Sequence, residues 1–362
     1  MIRQFEPSFD EEDARAVADV IHSGYINEHK MTREFERIFA EFVGAKYAVT
    51  TTNGTIALFL ALKTLNIGYG DKVIMPVYTA IGTASALRLA GATPVFVDVD
   101  LQTGNMDFRK LDWYKRDEKV KAVVPVHMNG RACFVEETRE VALMNGWHMI
   151  EDAAQCLGSH YNGKHLGTFG DVGCFSMATT KIITTGQGGV VVTDRKDLYD
   201  KLMALKDQGR VRDVTLSELP DYYPMEGYNF KFTEIQAALG LSQFRKLPER
   251  IEHKKHITNL YYELLSDSVF FPPKKDEELL WYIDVLLPKK GQNFLVKKEI
   301  TAKDIELRLF YTPLHKQPQY KTDGSFPCAE EYSSRGVWLP SSSFLKDDDI
   351  EYVCTEFKGV LN

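Results

Sequence analysis

Short apolar runs alternate with amphipathic segments between about residues 45 and 195, and this alternation restricts the fold more than any other feature of the chain. Helical patterns lie between several of the runs, at residues 55–65, 79–89 and 135–144. Strand–helix alternation at this spacing is typical of an α/β fold with a mainly parallel sheet. The apolar runs predict seven strands, at residues 47–51, 72–75, 94–97, 122–126, 147–151, 172–176 and 189–192.

The last two predicted strands are joined by a turn too short to contain a crossover helix, so we expect one edge of the sheet to be antiparallel. Beyond residue 194 the pattern changes to helices, an irregular aromatic segment at 207–228 and a strongly apolar helix at 233–244. A chain of 362 residues is long enough for two domains. We predict a large domain over 1–245, which includes an amino-terminal segment 1–12, and a smaller carboxyl-terminal α/β domain over 246–362.

Composition excludes several classes of protein. The formal net charge of −7 and the absence of a basic block disfavour a nucleic-acid or anionic-membrane partner. The longest apolar run, Ile56 to Leu62, is far shorter than a membrane span, and residues 1–14 lack a signal-peptide pattern. The five cysteines have no CxxC spacing and the histidines no HExxH pattern, so we expect no metal site. The composition predicts a cytoplasmic protein.

A single lysine lies in a polar turn between two apolar strands, in the segment FSMATTKIITTGQGG at 175–189. An amine held in this way, rather than in solvent, suits Schiff-base chemistry with an aldehyde. Most lysines are solvated surface charges, so the turn alone does not assign a role to Lys181. Ser176, five residues earlier, is a hydroxyl that could contact a phosphate.

Two further polar sites follow strands. The turn TTNGT at 51–55 places hydroxyls, Gly54 and Thr55 at a helix start, where free amides and the helix dipole bind phosphate; helix capping alone also explains it. Asp152 ends an apolar run, at the edge where open α/β sheets bind ligands. A buried aspartate there can keep a pyridinium nitrogen protonated, although a helix cap is equally consistent. Together with Lys181, these sites match the requirements of pyridoxal 5′-phosphate (PLP).

The order of the TTNGT turn, EDAAQ at 151–155 and the lysine segment resembles the DegT/DnrJ/EryC1/StrS family of sugar-nucleotide aminotransferases. The resemblance extends through GYNFKFTEIQAALG at 227–240 and YTPLHKQPQY at 311–320. It implies the PLP-dependent fold type I of aspartate aminotransferase and transfer of an amino group from glutamate. The motifs GTFGDVGCFS, ITTGQGG and SRGVWLPSS are most similar to perosamine-type members, which aminate a nucleotide-linked 4-keto-6-deoxyhexose.

The resemblance also implies roles for individual residues. Lys181 would form the Schiff base and move the proton, Asp152 would pair with the pyridinium nitrogen, and Gln155 would hydrogen-bond the phenolic oxygen of the cofactor. Gly54, Thr55 and Ser176 would hold its phosphate. Asn229 would reach the same phosphate from a neighbouring subunit, which implies a homodimer with shared sites. Weaker assignments to the substrate pocket are Tyr78, His315, Lys316 and Arg210, with Arg210 and Lys231 as candidates for the glutamate carboxylate.

One position departs from the family. Members usually carry an aromatic residue after the threonine of a P-x-x-T motif, where it stacks on the cofactor, but here Pro76-Val77-Tyr78-Thr79 is followed by Ala80. Tyr78 could stack only from another direction.

Three other functions remain open: a 3-keto-sugar aminotransferase, a PLP-binding regulator without activity, and a nicotinamide dehydrogenase. The last lacks a GxGxxG fingerprint after the first strand.

Overall fold

A computed structural model describes residues 1–210 and 223–361 of the chain. Its strands are β1 (Tyr47–Thr51), β2 (Lys72–Pro76), β3 (Thr93–Val97), β4 (Val120–Val123), β5 (His148–Asp152), β6 (His160–Tyr161), β7 (Lys164–His165), β8 (Val172–Ser176), β9 (Gly189–Thr193), β10 (Ile283–Leu286), β11 (Arg308–Leu309) and β12 (Gly336–Leu339). Its α-helices are α1 (Glu11–Ser23), α2 (Lys30–Val43), α3 (Gly54–Thr64), α4 (Ile81–Ala90), α5 (Val135–Met144), α6 (Lys196–Lys206), α7 (Glu234–Arg245), α8 (Leu247–Leu265), α9 (Gln292–Thr301), α10 (Pro327–Arg335) and α11 (Asp347–Leu361).

Seven strands form the main sheet in the order β1-β9-β8-β5-β4-β2-β3. The prediction of a mainly parallel seven-stranded sheet is therefore confirmed. The antiparallel strand is β9, which runs against both β8 and β1. It lies one position inside the edge, because β1 pairs along its outer side with Tyr47 opposite Thr193.

Both faces of this sheet are buried. Val191 of β9 belongs to the apolar cluster that contains Leu58 and Leu60 of α3. Its neighbours Val190 and Val192 belong to a second cluster, with residues of α2. Successive side chains of a strand point to opposite faces, so a strand buried on both sides reads as a continuous apolar run. This is why the strands were visible in the sequence.

A second, three-stranded sheet has the order β10-β12-β11 and is antiparallel throughout. It packs with α8, α9 and α11 around an apolar cluster that includes Tyr261, Val337 and Phe357. Because α7 ends at Arg245 and α8 begins at Leu247, we propose that the domains divide there. The amino terminus also reaches the apolar cluster of the three-stranded sheet, since Ile2 forms a parallel bridge with Ile305.

Buried polar contacts join the two sheets. Arg131 donates from both terminal nitrogens to the carboxylate of Asp284, each at 2.7 Å. Asn129 accepts from the amide of Tyr282 at 2.8 Å and donates to its carbonyl at 2.7 Å. All four residues are buried, so these contacts fix β10 beside the segment that follows β4. No helix in the described ranges is both long and apolar enough to cross a membrane.

Candidate active site

Lys181 lies in the connection between β8 and β9, and hydrogen bonds close this connection at its base. The amide of Met177 donates to the carbonyl of Gly188 at 2.8 Å, and the amide of Thr185 donates to the carbonyl of Met177 at 3.1 Å. Nearer the tip, the Lys181 amide donates to the carbonyl of Ala178 at 2.9 Å. The lysine backbone is thereby held at the end of the sheet that also carries Asp152.

The amine of Lys181 is enclosed by protein. Its Nζ lies 3.6 Å from the centroid of the Trp281 ring, and the indole of Trp281 donates to the carbonyl of Thr180 at 2.7 Å. Burial lowers the pKa of Lys181 to about 7; the Asp152 carboxylate opposes this change and the Arg308 guanidinium adds to it. A substantial fraction of the amine is therefore the nucleophilic free base near neutral pH.

Asp152 ends β5 and is 5 % exposed. Its Oδ2 accepts from the hydroxyl of Thr83 at 2.7 Å, and its Oδ1 accepts from the amide of Ala154 at 3.1 Å. Burial raises the pKa of Asp152, while the Thr83 hydrogen bond and the charge of Lys181 oppose the rise. The Ala154 bond shows that Asp152 does bond the following turn. Its other oxygen is oriented by Thr83, which the sequence did not single out.

The turn before α3 serves as a helix cap and leaves two backbone amides of the first turn available to a ligand. Asn53 accepts from the amide of Ile56 at 3.0 Å, whereas the amides of Gly54 and Thr55, in the first turn, have no intrahelical partner. A Cβ on Gly54 would lie 2.9 Å from the Cβ of Ser176. The helix amino terminus and the Ser176 side chain are therefore adjacent, and an anion near them would meet amides, a hydroxyl and the positive end of the helix dipole.

One narrow cavity brings several candidates together. It is lined by Gln155, Ser176 and Lys181, and also by Lys254 and Trp281. Gln155 accepts from the amide of Asn129 at 2.8 Å. Asp152, Gly54 and Thr55 do not line this cavity, although Asp152 ends the strand beside β8 and Gly54 is adjacent to Ser176. An enclosed amine, a buried carboxylate and a hydroxyl beside a helix amino terminus are the groups that an aldehyde, a ring nitrogen and a phosphate require. These residues fit PLP.

The other cofactor and donor candidates have different surroundings. Asn229 forms a β-bridge with Asp207, and Lys231 pairs with the same aspartate at 2.9 Å. Arg210 donates to the hydroxyl of Tyr223 at 3.2 Å. Within the residues that are described, these contacts do not place Asn229, Lys231 or Arg210 in the Lys181 cavity.

Two candidates of the sugar pocket contact α10, and a third lies in an aromatic cluster. His315 is buried and bonds Glu330 at 2.9 Å, and the exposed Lys316 pairs with the same carboxylate at 2.8 Å. Tyr78 is buried among Phe310, Tyr311 and Tyr332. As a stacking partner for the cofactor, Tyr78 would have to leave this aromatic cluster.

Ala80, at the departure from the family, is the residue before α4 and has extended backbone angles. Thr83 lies in the first turn of the same helix, so one short segment carries both the missing aromatic residue and the partner of Asp152. A hydroxyl in the first turn of a helix that follows a parallel strand was the available signal for Thr83.

A larger cavity, of about 1020 Å³, lies elsewhere, along the outer edge of β3 beside Arg88 and Trp113.

Known proteins match the chain over nearly its whole length. The family model for DegT/DnrJ/EryC1/StrS aminotransferases matches residues 7–358. GDP-perosamine synthase of Vibrio cholerae is 34% identical over 377 residues, with 100% of both chains covered. The dTDP-3-amino-3,6-dideoxy-alpha-D-galactopyranose transaminase of Aneurinibacillus thermoaerophilus is 31% identical, with 97% and 96% covered. The crystal structure of the aminotransferase TlmJ from Streptoalloteichus hindustanus is 29% identical with a TM-score of 0.93, covering 100% of this chain and 99% of that one.

Proposed function

Because the chain belongs to the DegT/DnrJ/EryC1/StrS aminotransferase family, we propose that it moves the amino group of glutamate to a nucleotide-linked 4-keto-6-deoxyhexose. It is a PLP-dependent sugar aminotransferase. The product of the proposed reaction is a 4-amino-4,6-dideoxy sugar nucleotide of the perosamine type. The similarity to GDP-perosamine synthase supports this choice of substrate.

The observation that carries the proposal is the enclosed amine of Lys181 on the same sheet edge as the buried carboxylate of Asp152. When bound, PLP supplies an aldehyde and a ring that accepts the electron pair released when a proton leaves the substrate carbon. Lys181 would hold the aldehyde carbon until the amino group of glutamate takes its place. The released amine would then take the proton from the α-carbon of glutamate. In the second half of the reaction the same amine would return a proton to the sugar carbon.

The other residues would bind the cofactor and orient its ring. Asp152, fixed by Thr83 and the amide of Ala154, would accept a hydrogen bond from the protonated ring nitrogen. Gly54, Thr55 and Ser176 would bind the phosphate through amides and hydroxyls. Gln155 would donate from its side-chain nitrogen to the phenolic oxygen, since its oxygen already accepts from Asn129.

We also propose that the chain acts as a homodimer, with Asn229 reaching the phosphate site of its partner. Several large apolar side chains near the amino-terminal helices are exposed in the single chain, and such side chains are typical of subunit interfaces. They are Ile21, Tyr25, Ile26 and Met31. Sedimentation of the PLP-loaded protein tests this, and a monomer that turns over normally would contradict it.

Amination at C3 is the second candidate, favoured by the match to the transaminase of A. thermoaerophilus. Turnover of a GDP-linked 4-keto-6-deoxyhexose should be compared with turnover of a dTDP-linked 3-keto-6-deoxyhexose at equal concentrations. We expect activity on the 4-keto sugar. Activity on the 3-keto sugar alone would contradict the proposed substrate while leaving the reaction type intact.

The experiment that tests the reaction type is the visible spectrum of the PLP-loaded protein before and after excess glutamate. The band of the lysine-bound cofactor should disappear as the amino form of the cofactor accumulates. Lys181→Ala should bind PLP without covalent attachment and show no conversion, whereas Lys254→Met, which alters the other lysine of the cavity, should still attach the cofactor. Conversion by Lys181→Ala would refute the assignment of Lys181.

A further inference from the structure

The donor amino acid brings a carboxylate into the site, and a carboxylate bound away from water needs a cation or several hydrogen-bond donors. The two candidates from the sequence are already engaged elsewhere. Lys231 forms an ion pair with Asp207 at 2.9 Å, and Arg210 donates to Tyr223 at 3.2 Å. The structure offers a different basic residue.

Arg308 lies on β11, opposite Trp338 of β12. Its guanidinium carbon is 5.3 Å from the centroid of the Trp338 ring and 5.5 Å from that of Tyr311. These two rings are in edge contact, with centroids 4.9 Å apart. The guanidinium is therefore held against two aromatic walls, which favour arginine over lysine and restrict its orientation.

Arg308 has no acidic side chain within ion-pair distance in the described part of the chain, although the residue is only partly exposed. The contrast with Arg131 is direct, because that buried arginine forms a two-point ion pair with Asp284. A charge-bearing guanidinium that is partly withdrawn from water and lacks a counter-ion is suited to an anionic ligand.

Arg308 also lies on the Lys181 side of the second sheet. The Trp338 ring, against which its guanidinium lies, contacts the Tyr282 ring with centroids 5.6 Å apart. The charge of Arg308 also acts on the amine of Lys181 and on the hydroxyl of Tyr282. Tyr282 stacks on Trp281 with ring centroids 4.0 Å apart, and Trp281 is the ring that covers the Lys181 amine. The buried Tyr282 hydroxyl has no hydrogen bond of normal geometry to any described residue. The hydroxyl lies beside Thr180 and the Arg308 guanidinium, which donate toward its oxygen. A cation and a hydroxyl that can still donate thus lie on one side of the lysine.

We propose that Arg308 binds the α-carboxylate of the amino donor, with the hydroxyl of Tyr282 as a second hydrogen-bond donor. This inference rests on the proposed function. The carboxylate is bonded directly to the carbon that reacts beside Lys181, so its cation must lie near that amine. The diphosphate of a sugar nucleotide is attached at C1, across the hexose ring from C4, and its cation must lie farther away. The position of Arg308 therefore fits the carboxylate.

The test uses the PLP-loaded enzyme and glutarate, a dicarboxylate that lacks the amine and cannot react. Calorimetry should show glutarate binding weakened at least about tenfold in Arg308→Gln, because a charged hydrogen bond is lost, and partly restored in Arg308→Lys. In single-turnover experiments, the glutamate concentration that gives the half-maximal rate should rise by a similar factor. Arg109→Gln, which alters an exposed arginine that pairs with Asp107, is the matched control and should match the wild type.

Three results separate the alternatives. Unchanged glutarate affinity in Arg308→Gln, with a normal cofactor spectrum, would overturn the inference. A defect limited to the sugar-nucleotide half-reaction, measured from the amino form of the enzyme, would also overturn it and assign Arg308 to the diphosphate. If glutamate does not convert the PLP-loaded wild-type enzyme to its amino form, the proposed function is overturned, and this inference with it.

Discussion

Trp281 covers the amine of Lys181, with Nζ 3.6 Å from the ring centroid, and donates to the carbonyl of the preceding residue, Thr180, at 2.7 Å. The tryptophan immediately precedes Tyr282 and β10, whereas the lysine lies in the connection between β8 and β9 of the main sheet. The surroundings of the reactive amine are thus built from two distant parts of the chain. Burial, the main cause of the lowered pKa of Lys181, depends in part on this ring.

Trp281→Ala should raise the pKa of Lys181 in the PLP-free protein by about one unit, because water then reaches the amine. Loss of the cation–π contact acts in the opposite direction, but burial is the larger effect. The measurement is the rate of lysine acylation as a function of pH, with Lys181 followed by peptide mapping. Trp281→Phe keeps most of the cover and should change the pKa less. An unaltered pKa in Trp281→Ala would show that other residues enclose the amine.

Asp152→Asn should fold normally and lower kcat by about 10²–10³-fold, the range found when a preorganised electrostatic group is removed from an active site. The neutral amide cannot hold the ring nitrogen in its protonated form. Thr83→Val removes the 2.7 Å hydrogen bond to Asp152 and a 3.3 Å contact with the hydroxyl of Thr79. It keeps the carboxylate and should have a smaller effect. Single-turnover conversion with glutamate measures both variants, and a normal rate in Asp152→Asn would refute the role of the carboxylate.

Ala80→Tyr should slow the dissociation of PLP about three- to tenfold, because an aromatic stacking contact contributes about 0.5–1.5 kcal/mol. The position is partly exposed and directly precedes α4. Loss of the visible band during dialysis measures the dissociation rate of PLP. Ala80→Leu adds bulk without an aromatic face and is the control. If leucine slows dissociation as much as tyrosine, shielding from water rather than stacking is responsible.

Lys254 gives a prediction about stability. Its buried amine donates to the carbonyls of Trp281 and Ser341, and burial lowers the pKa of Lys254 to about 7. The unfolded chain, with a lysine pKa of about 10.4, holds more protons between about pH 7 and 10. The free energy of unfolding should therefore rise with pH in this window, by at most about 1.4 kcal/mol per unit from this residue.

Lys254→Met should reduce that slope, as measured by urea unfolding of the PLP-free protein at pH 7, 8 and 9. Lys255→Met is the matched control, because Lys255 is exposed and pairs with Glu252. Its slope should follow the wild type. Equal slopes for all three proteins would mean that Lys254 is protonated in the folded state.

The strands and the lysine connection could be predicted because their signals are local. A strand buried on both faces, such as β9, is a continuous apolar run, and the segment 177–188 is too short for a crossover helix. The pairing of β1 with β9 was not predictable in this way. It joins residues that are more than a hundred positions apart, and no local pattern states which strand covers the outer side of β9.

The same limit applies to the site. Asp152 ends a strand, and Lys181 and Gly54 follow strands in polar turns, where such residues are informative, so they were found from the sequence. Trp281 and Arg308 lie in or beside short strands of the second sheet, and their position relative to Lys181 depends on how the two sheets pack. An aromatic residue or an arginine in an apolar segment has many ordinary explanations, so neither was singled out.

The two-point ion pair between Arg131 and Asp284 also restricts how such a protein can change by recombination. Both residues are 1 % exposed, and loss of one partner leaves an uncompensated buried charge that costs about 3–5 kcal/mol. An incoming segment that replaced residues 246–362 would have to carry an acid at the position of Asp284. Exchange of the carboxyl-terminal part between relatives is therefore tolerated only when both halves share this pair, whatever sugar each parent accepts.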